Sequence, residues 1–445
     1  MNFAGVGTED EYYGSVDVLK NAYSGERTIQ RLMDVEAALS WAEAQVGIVP
    51  AECAEEIQSK CDVHLLDEAI YEEARTRTGH PLMGMLHSYK AICSERAGQY
   101  IHFGATTQDI SDTATILQLR DAYRIIRKKT EDVRGILVQL ARRHRSTVMI
   151  GRTNDQQAMP ITLGFKFATW IDELDRCLER FDEMEKRVFT GQFAGAVGTM
   201  ASLGEKGPEV QRLLMEKLEL TCPRISWFAT RDRLAEFTVN LAMLVGALGR
   251  MGNEIYNEQR SEVSELAEGY VPGKVGSSTM PHKRNPFLPG RLAGRGRIAG
   301  TLVMRALQGL ENTNERDCRP LTVEPYHLKE ICCMADGSLD VALTLFDGLE
   351  VHEDAVARNL EILHGLIFSE ALMMRLARDF GRMKAHDMVY ELAMRAISEQ
   401  RSLKSLLMAN ETIMAHVTEA ELDDIMNPAH YIGLAEKFVD DVAQG

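Results

Sequence analysis

The chain has no run of roughly 18 apolar residues, the length a helix needs to cross a bilayer, so no membrane span is expected. Its first residues, MNFAGVGTEDEYYGS, are acidic and lack the apolar core of a signal peptide. Cysteine is sparse, 8 in 445 residues, and no two stand as CxxC. Reduced, mostly buried thiols in a cytoplasmic protein are the expectation, with neither a zinc site nor a disulfide framework. Basic charge is in deficit, 50 Lys and Arg against 66 Asp and Glu, for a net −16. That balance argues against nucleic acid or an anionic membrane as the main partner. Period-two alternation bounded by hairpin turns is missing, so strands are not expected. HExxH, the phosphate-binding P-loop and the GxSxG elbow are all absent, which removes three common catalytic designs.

What is present is helical periodicity. Ile116, Leu119, Tyr123, Ile126, Thr130, Val133, Leu137 and Leu140 follow a 3-4-3-4 spacing. Phe167, Ile171, Leu174, Leu178 and Phe181 repeat it, and so do Leu234, Phe237, Leu241, Leu244, Leu248, Met251 and Ile255. Such seams belong to a bundle of long helices, with 288–312 and 328–348 as further members. An earlier helix is expected over 25–47, closed by Gly47. The reading is all-α, in three parts: an N-terminal helical domain 1–111, a central bundle 112–350 and a C-terminal helical domain 351–445. Long apolar seams need burial, so a homo-oligomer is the default expectation.

Four polar clusters interrupt the helices: 78–80, 102–112, 151–157 and 276–285. They supply hydroxyls (Thr106, Thr107, Ser277, Ser278), cations (Arg152, Lys283, Arg284), carboxamides (Asn154, Gln156, Gln157, Asn285) and imidazoles (His80, His102, His282). None has metal-ligand spacing. This donor set suits a small polyanion such as a di- or tricarboxylate. Gly195-Ala196-Val197-Gly198-Thr199 is glycine-rich, and reads as a tight connection between helices. Asp109 or Ser111 is expected to cap the helix that follows 102–112.

The stretch Gly276-Ser-Ser-Thr-Met-Pro-His-Lys-Arg-Asn-Pro286, inside a loop at 273–286, resembles the signature of the fumarase/aspartase superfamily. His102-Phe-Gly-Ala-Thr-Thr-Gln-Asp109, Gly151-Arg-Thr153 with Gln157-Ala-Met-Pro160, and Gly195-Ala-Val-Gly-Thr199 add to the likeness, which covers nearly the whole chain. The resemblance implies an all-α, three-domain fold, a homotetramer whose sites are shared between chains, and cofactor-independent β-elimination on a small polycarboxylate. It implies Ser277 as the base on a mobile loop, Lys283 and Asn285 as ligands of a carboxylate, and Thr106 and Thr107 on the same or the other carboxylate. His80 and His102 would line the pocket as catalytic groups. Gln108, Arg152, Asn154, Gln157, Ser278, Met280 and Arg316 complete the implied substrate contacts, with no metal.

Two departures sharpen this. Superfamily lyases that expel an amine carry Arg-Thr-His and a Glu shortly after the signature loop; this chain has Asn154 and Gly290 at those places. Asn cannot protonate a leaving group, whereas a carboxylate, with a pKa of about 4, leaves unaided. That points to the 3-carboxy-cis,cis-muconate cycloisomerase branch, or to a lyase expelling a stable anion. The adenylosuccinate lyase branch, a C–N lyase releasing fumarate, binds a nucleotide phosphate through arginines. Here no Arg precedes Arg27, and Glu324-Pro325 stands where Glu-Arg is expected, with Arg319 the one nearby substitute. Missing the acid pair also leaves open a scaffold without catalysis.

Overall fold

The computed structural model describes residues 11–271, 273 and 276–444. Five long helices dominate it: Thr107–Arg143, Leu163–Val188, Asp232–Glu258, Phe287–Gln308 and Glu324–Asp347. The 3-4 seams are the buried faces. Ile116, Leu119, Ile126, Thr130, Val133 and Leu137 are fully enclosed, as are Phe237, Leu241, Leu244, Leu248, Met251 and Ile255. Leu178 is the exception: it is only half-buried, and Cys177 takes its place inside. Asp232–Glu258 is long and apolar enough by composition to cross a bilayer, which the sequence reading did not anticipate. Of its most apolar window 67% is buried against protein, as in a core helix.

Local chemistry fixes the shorter elements. Ser24 starts the Gly25–Gln45 helix by accepting the Arg27 N–H, and Gly47, at φ 68°, follows its end. Glu68–Thr78 stops at Gly79, also left-handed, and His80 and Pro81 open Pro81–Ile92. Beyond Val351, helices from Glu353–Glu361 to Ala435–Ala443 form the C-terminal part.

By compactness the chain falls into two units, 1–131 with 176–249 and 292–341, and 132–175 with 250–291 and 342–445. These limits cut across the long helices. Of the boundaries expected from the sequence, 112 falls in the second turn of the Thr107–Arg143 helix and 351 shortly after Asp347. In the first unit Gly25–Gln45 packs on Ala51–Ser59 and Gly207–Lys217. Its interior holds a buried ion cluster in which Arg231 joins Asp112 and Glu324. In the second unit Ser369–Phe380 pairs with Arg382–Glu399 over a core that includes Leu372, Leu376, Leu392 and Leu406.

Among the described residues two small antiparallel ribbons interrupt the helices, against the expectation of none. Leu266–Ala267 pairs with Glu350–Val351, and Val148–Thr153 with Gln156–Thr162. The second is a hairpin with a two-residue turn, Asn154-Asp155, both at positive φ (51° and 60°), the geometry of a type I′ turn. Its ladder is broken by a bulge at Gly151, so clean alternation never shows in the sequence. Ile150 anchors it in the C-terminal core.

Candidate active site

In the second unit the signature loop is held by its own backbone. A side chain at Gly276 would bring its Cβ to 2.4 Å from the Lys283 carbonyl, so only glycine fits that close approach. The Asn285 amide closes the turn by donating to the Gly276 carbonyl at 2.6 Å. Arg284, grouped by sequence with the ligand cations, is committed elsewhere: it pairs with Glu350 (2.9 Å) and donates to the Glu268 carbonyl (2.8 Å). Glu268 in turn accepts the Leu288 N–H at the start of the next helix. The Ser277 Oγ accepts the Met280 N–H at 3.1 Å and that of Thr279 at 3.4 Å. Ser278, Met280, His282 and Lys283 are exposed around it. The loop therefore displays one half-buried hydroxyl facing backbone donors, beside an open ammonium.

The hairpin carries Arg152 and Gln157 opposite each other, with Asn154 at its tip. Arg152 does not stand free as a substrate cation. Its guanidinium grips wholly buried Glu265 with two hydrogen bonds of 2.8 Å and reaches Glu258 at 3.3 Å. Lys166 joins the same cluster, bonding Glu258 at 3.0 Å and Glu254. Three carboxylates share two cations here, and the Glu265 carboxylate acts on Glu258. Burial, then this carboxylate contact, raises the Glu258 pKa against the pull of Lys166, so the pair favours holding a proton. The sequence assigned Arg152 to substrate; the fold spends it on neutralising Glu265. Gln157 donates to the Asn359 carbonyl, while its Oε1 is buried without a partner among the described residues. Asn154 is exposed, and its backbone conformation explains an Asn here independently of chemistry. At Gly290 an added Cβ would meet only the Tyr256 ring, at 3.5 Å.

In the first unit the Thr107–Arg143 helix begins at a polar turn. Asp109 does not cap it in the ordinary sense. From its position in the first turn its carboxylate accepts the Thr106 N–H (2.9 Å) and those of Ala194 (2.7 Å) and Gly195 (3.0 Å). Burial pushes its pKa up to about 6 although these donors oppose the shift. Ser111 bonds back to the Thr107 carbonyl and caps nothing. The Gly195–Thr199 stretch is not the tight link expected: it lies in a long loop between Val188 and Gly204, with its Gly195 N–H tied to Asp109. Thr106 Oγ1 accepts from Arg316 at 2.5 Å, so these two sequence-distant residues meet, with Thr107 half-buried alongside. Gln108 is different: it is buried and its amide donates to Asp112 and to the Phe228 carbonyl, a core role that does not match the expected substrate contact. His102, at φ 67°, binds Glu36 through Nδ1 at 2.7 Å. Burial opposes its charge, but the Glu36 carboxylate more than compensates and raises its pKa. His80 accepts the Leu82 N–H on Nδ1, and partial burial lowers its pKa, favouring the neutral ring.

Among the described residues one acidic group has metal-like spacing, Asp17, Asp336 and Asp340, and the Lys129 ammonium bonds all three at 2.6–2.8 Å. Arg319 is likewise taken, by Asp317, and Glu324 by Arg231. Sequence reasoning passed over Asp155, Asn257, Arg260 and Glu262. They meet Asn154 and Gln157 around a cavity of about 400 Å³ whose wall includes Glu254 and Glu258. No motif marks them, because they become neighbours only when the hairpin folds beside the end of Asp232–Glu258.

A long-helix bundle whose breaks carry a hydroxyl loop, paired threonines with an arginine, and polar hairpin residues defines a class of elimination enzymes. The chain belongs to the fumarase/aspartase superfamily, in the part that spans the adenylosuccinate lyase and cycloisomerase branches, and is a lyase/isomerase. The lyase family model matches residues 10–294, and the adenylosuccinate lyase C-terminus model matches 365–442. An adenylosuccinate lyase of Methanocaldococcus jannaschii is 40% identical over 97% of this chain and 94% of its own. An N-acetyl-S-(2-succino)cysteine lyase of Dickeya dadantii is 39% identical over 95% and 93%. The crystal structure of 3-carboxy-cis,cis-muconate lactonizing enzyme from Pseudomonas putida superposes with a TM-score of 0.91 at 34% identity, covering 98% of both chains. The all-α fold and the small anionic product are common ground.

Proposed function

We propose that the enzyme catalyses reversible β-elimination from a succinyl thioether, giving fumarate and a thiolate. Ser277 removes the proton on the carbon next to a carboxylate. That C–H electron pair becomes the C=C bond, and the neighbouring C–S bond breaks with both electrons on sulfur. The observation that carries the reading is the missing acid: Asn154 forms the hairpin turn and Gly290 has no side chain. A thiol, with a pKa of about 8.5, departs as an anion near neutral pH, whereas an amine of pKa about 10 needs a donor. The relative named for N-acetyl-S-(2-succino)cysteine supports a sulfur leaving group.

Ser277 suits a base because two backbone N–H groups face its Oγ and lower the cost of an alkoxide. Lys283 and Asn285 bind the carboxylate whose charge grows as the proton leaves. Thr106, Thr107 and Arg316 form a second anion-binding set, with His102 as a charged donor held by Glu36, and His80 as a neutral one. The sets are brought together by different chains of a homotetramer. A carboxylate leaving group is the second reading, favoured by the likeness to the muconate enzyme, and uses the same residues. Adenylosuccinate would demand an acid and a phosphate-binding arginine where this chain has Asn154, Gly290 and Glu324-Pro325.

The test is fumarate release from S-(2-succinyl)cysteine, set against turnover of adenylosuccinate and 3-carboxymuconate. Faster turnover of adenylosuccinate than of the thioether would sink the proposal. Ser277→Ala should lower kcat by roughly 10³-fold or more, the scale of losing an activated catalytic group, and near-normal activity would remove Ser277 from its role.

A further inference from the structure

The cavity beside the hairpin has a composition that its neighbouring ion cluster does not explain. Arg152, Glu254 and Glu258 in its wall are paired among themselves and with Lys166 and Glu265. At the rim, by contrast, three charges carry no ion pair among the described residues: Arg260, Asp155 and Glu262. Arg260 spends only its Nε, on the Asn257 carbonyl at 3.1 Å, which leaves the terminal nitrogens of the guanidinium open. Asn154 and Asn257 line the same cavity. A volume of about 400 Å³ is that of a small-molecule pocket. A cavity lined by one unpaired cation, two unpaired anions and amides is a poor complement for a polyanion or a nucleotide phosphate. It is a good complement for a zwitterion.

We infer that this cavity is the leaving-group subsite and binds an α-amino acid: Arg260 takes the α-carboxylate, and Asp155 and Glu262 take the α-ammonium. The inference rests on the proposed elimination and adds to it the identity of the expelled group, an amino-acid thiol with a free amine. The Dickeya relative is named for an N-acetylated substrate; the acidic residues lining this cavity favour a free amine instead, because acetylation removes the charge they would pair with. The guanidinium fork matches a carboxylate in two parallel bonds, which fixes the orientation of the leaving sulfur.

Three thioethers separate the contributions: S-(2-succinyl)cysteine, its N-acetyl derivative, and S-(2-succinyl)mercaptoethanol, which lacks both charges. The wild type should prefer them in that order by kcat/KM. Arg260→Gln should lower kcat/KM about 10- to 100-fold for the first two, the range of a charge-assisted hydrogen-bonded pair, and leave the third unchanged. Asp155→Asn with Glu262→Gln should erase the preference for the free amine without affecting the N-acetyl substrate. Equal effects of Arg260→Gln on all three, or none, would overturn the assignment. A binding measurement separates it from the elimination itself. S-methylcysteine, which cannot be eliminated, should bind the wild type and Ser277→Ala equally by calorimetry and bind Arg260→Gln at least tenfold more weakly. Binding without turnover of any thioether would retain the amino-acid subsite and reject the sulfur chemistry. Turnover of the thioethers with no S-methylcysteine binding would do the reverse.

Discussion

Replacing Arg152 with Met tests whether this arginine serves the fold or the substrate. In the native protein its guanidinium provides two of the hydrogen bonds to fully buried Glu265 and a third contact to Glu258. After Arg152→Met, Glu265 keeps the Asn359 amide at 2.7 Å and its contact with Glu258, and three carboxylates face one ammonium, that of Lys166. Leaving a buried charge without its partner costs about 3–5 kcal/mol. At roughly 2–4 °C per kcal/mol for units of this size, the unfolding midpoint should fall by about 6–20 °C. The loss should be larger at pH 8 than at pH 6. Carboxylates whose folded pKa is raised contribute most when protonated, and that contribution disappears as pH climbs through the folded value. Arg152→Met with Glu265→Leu should recover more than half of the stability, since the two changes are strongly coupled. Differential scanning fluorimetry with steady-state kinetics at a temperature where the variant is folded checks both sides. A midpoint within about 2 °C of wild type together with a hundredfold loss of kcat/KM would refute the structural role and return Arg152 to the substrate.

Other expectations follow from the same geometry. Glu43 is fully buried, neither carboxylate oxygen has a partner among the described residues, and burial, then Glu36, pushes its pKa up to about 9. Its folded-state proton stabilises the protein below about pH 4.5, and the benefit is lost as pH rises toward 9, so Glu43→Gln should match wild type near pH 5 and exceed it by about 3 kcal/mol at pH 7 in chemical denaturation. Asp109→Asn replaces one acceptor oxygen by a donor facing backbone N–H groups, and should cost about 2–4 kcal/mol while loosening protection of the Ala194 and Gly195 amides in hydrogen exchange. Asn154→Gly should leave stability within about 0.5 kcal/mol, while Asn154→Val, which resists positive φ, should lose about 1–2 kcal/mol; equal effects of the two would show that the turn does not select the residue.

The long helices were legible because burial writes itself into spacing. A 3-4 repeat puts Leu241, Leu244 and Leu248 on one face whatever that face meets. The break at Gly79-His80-Pro81 was legible for a local reason: a left-handed glycine, a capping side chain and a proline act within a few residues. The hairpin at 148–162 was not, since its bulge at Gly151 breaks the alternation and Asn-Asp is a weaker turn signal than Asn-Gly. The signature loop gave up its Ser, Lys and Asn by order of residues alone, but not the fact that Arg284 is bound to Glu350.

By itself, then, the sequence determined the helical architecture, the superfamily and the absence of His and Glu at 154 and 290, all properties of local order or residue identity. Tertiary structure alone decided which charges are free. Arg152, polar and suggestive in one dimension, is consumed by Glu265 from another segment, and Gln108 by Asp112 one turn along its own helix and by the distant Phe228 carbonyl. Arg260, unremarked in the sequence, is left open beside a cavity. Whether a charged side chain can meet a ligand depends on what already neutralises it, and pairing between residues a hundred positions apart is set by packing, which spacing does not encode.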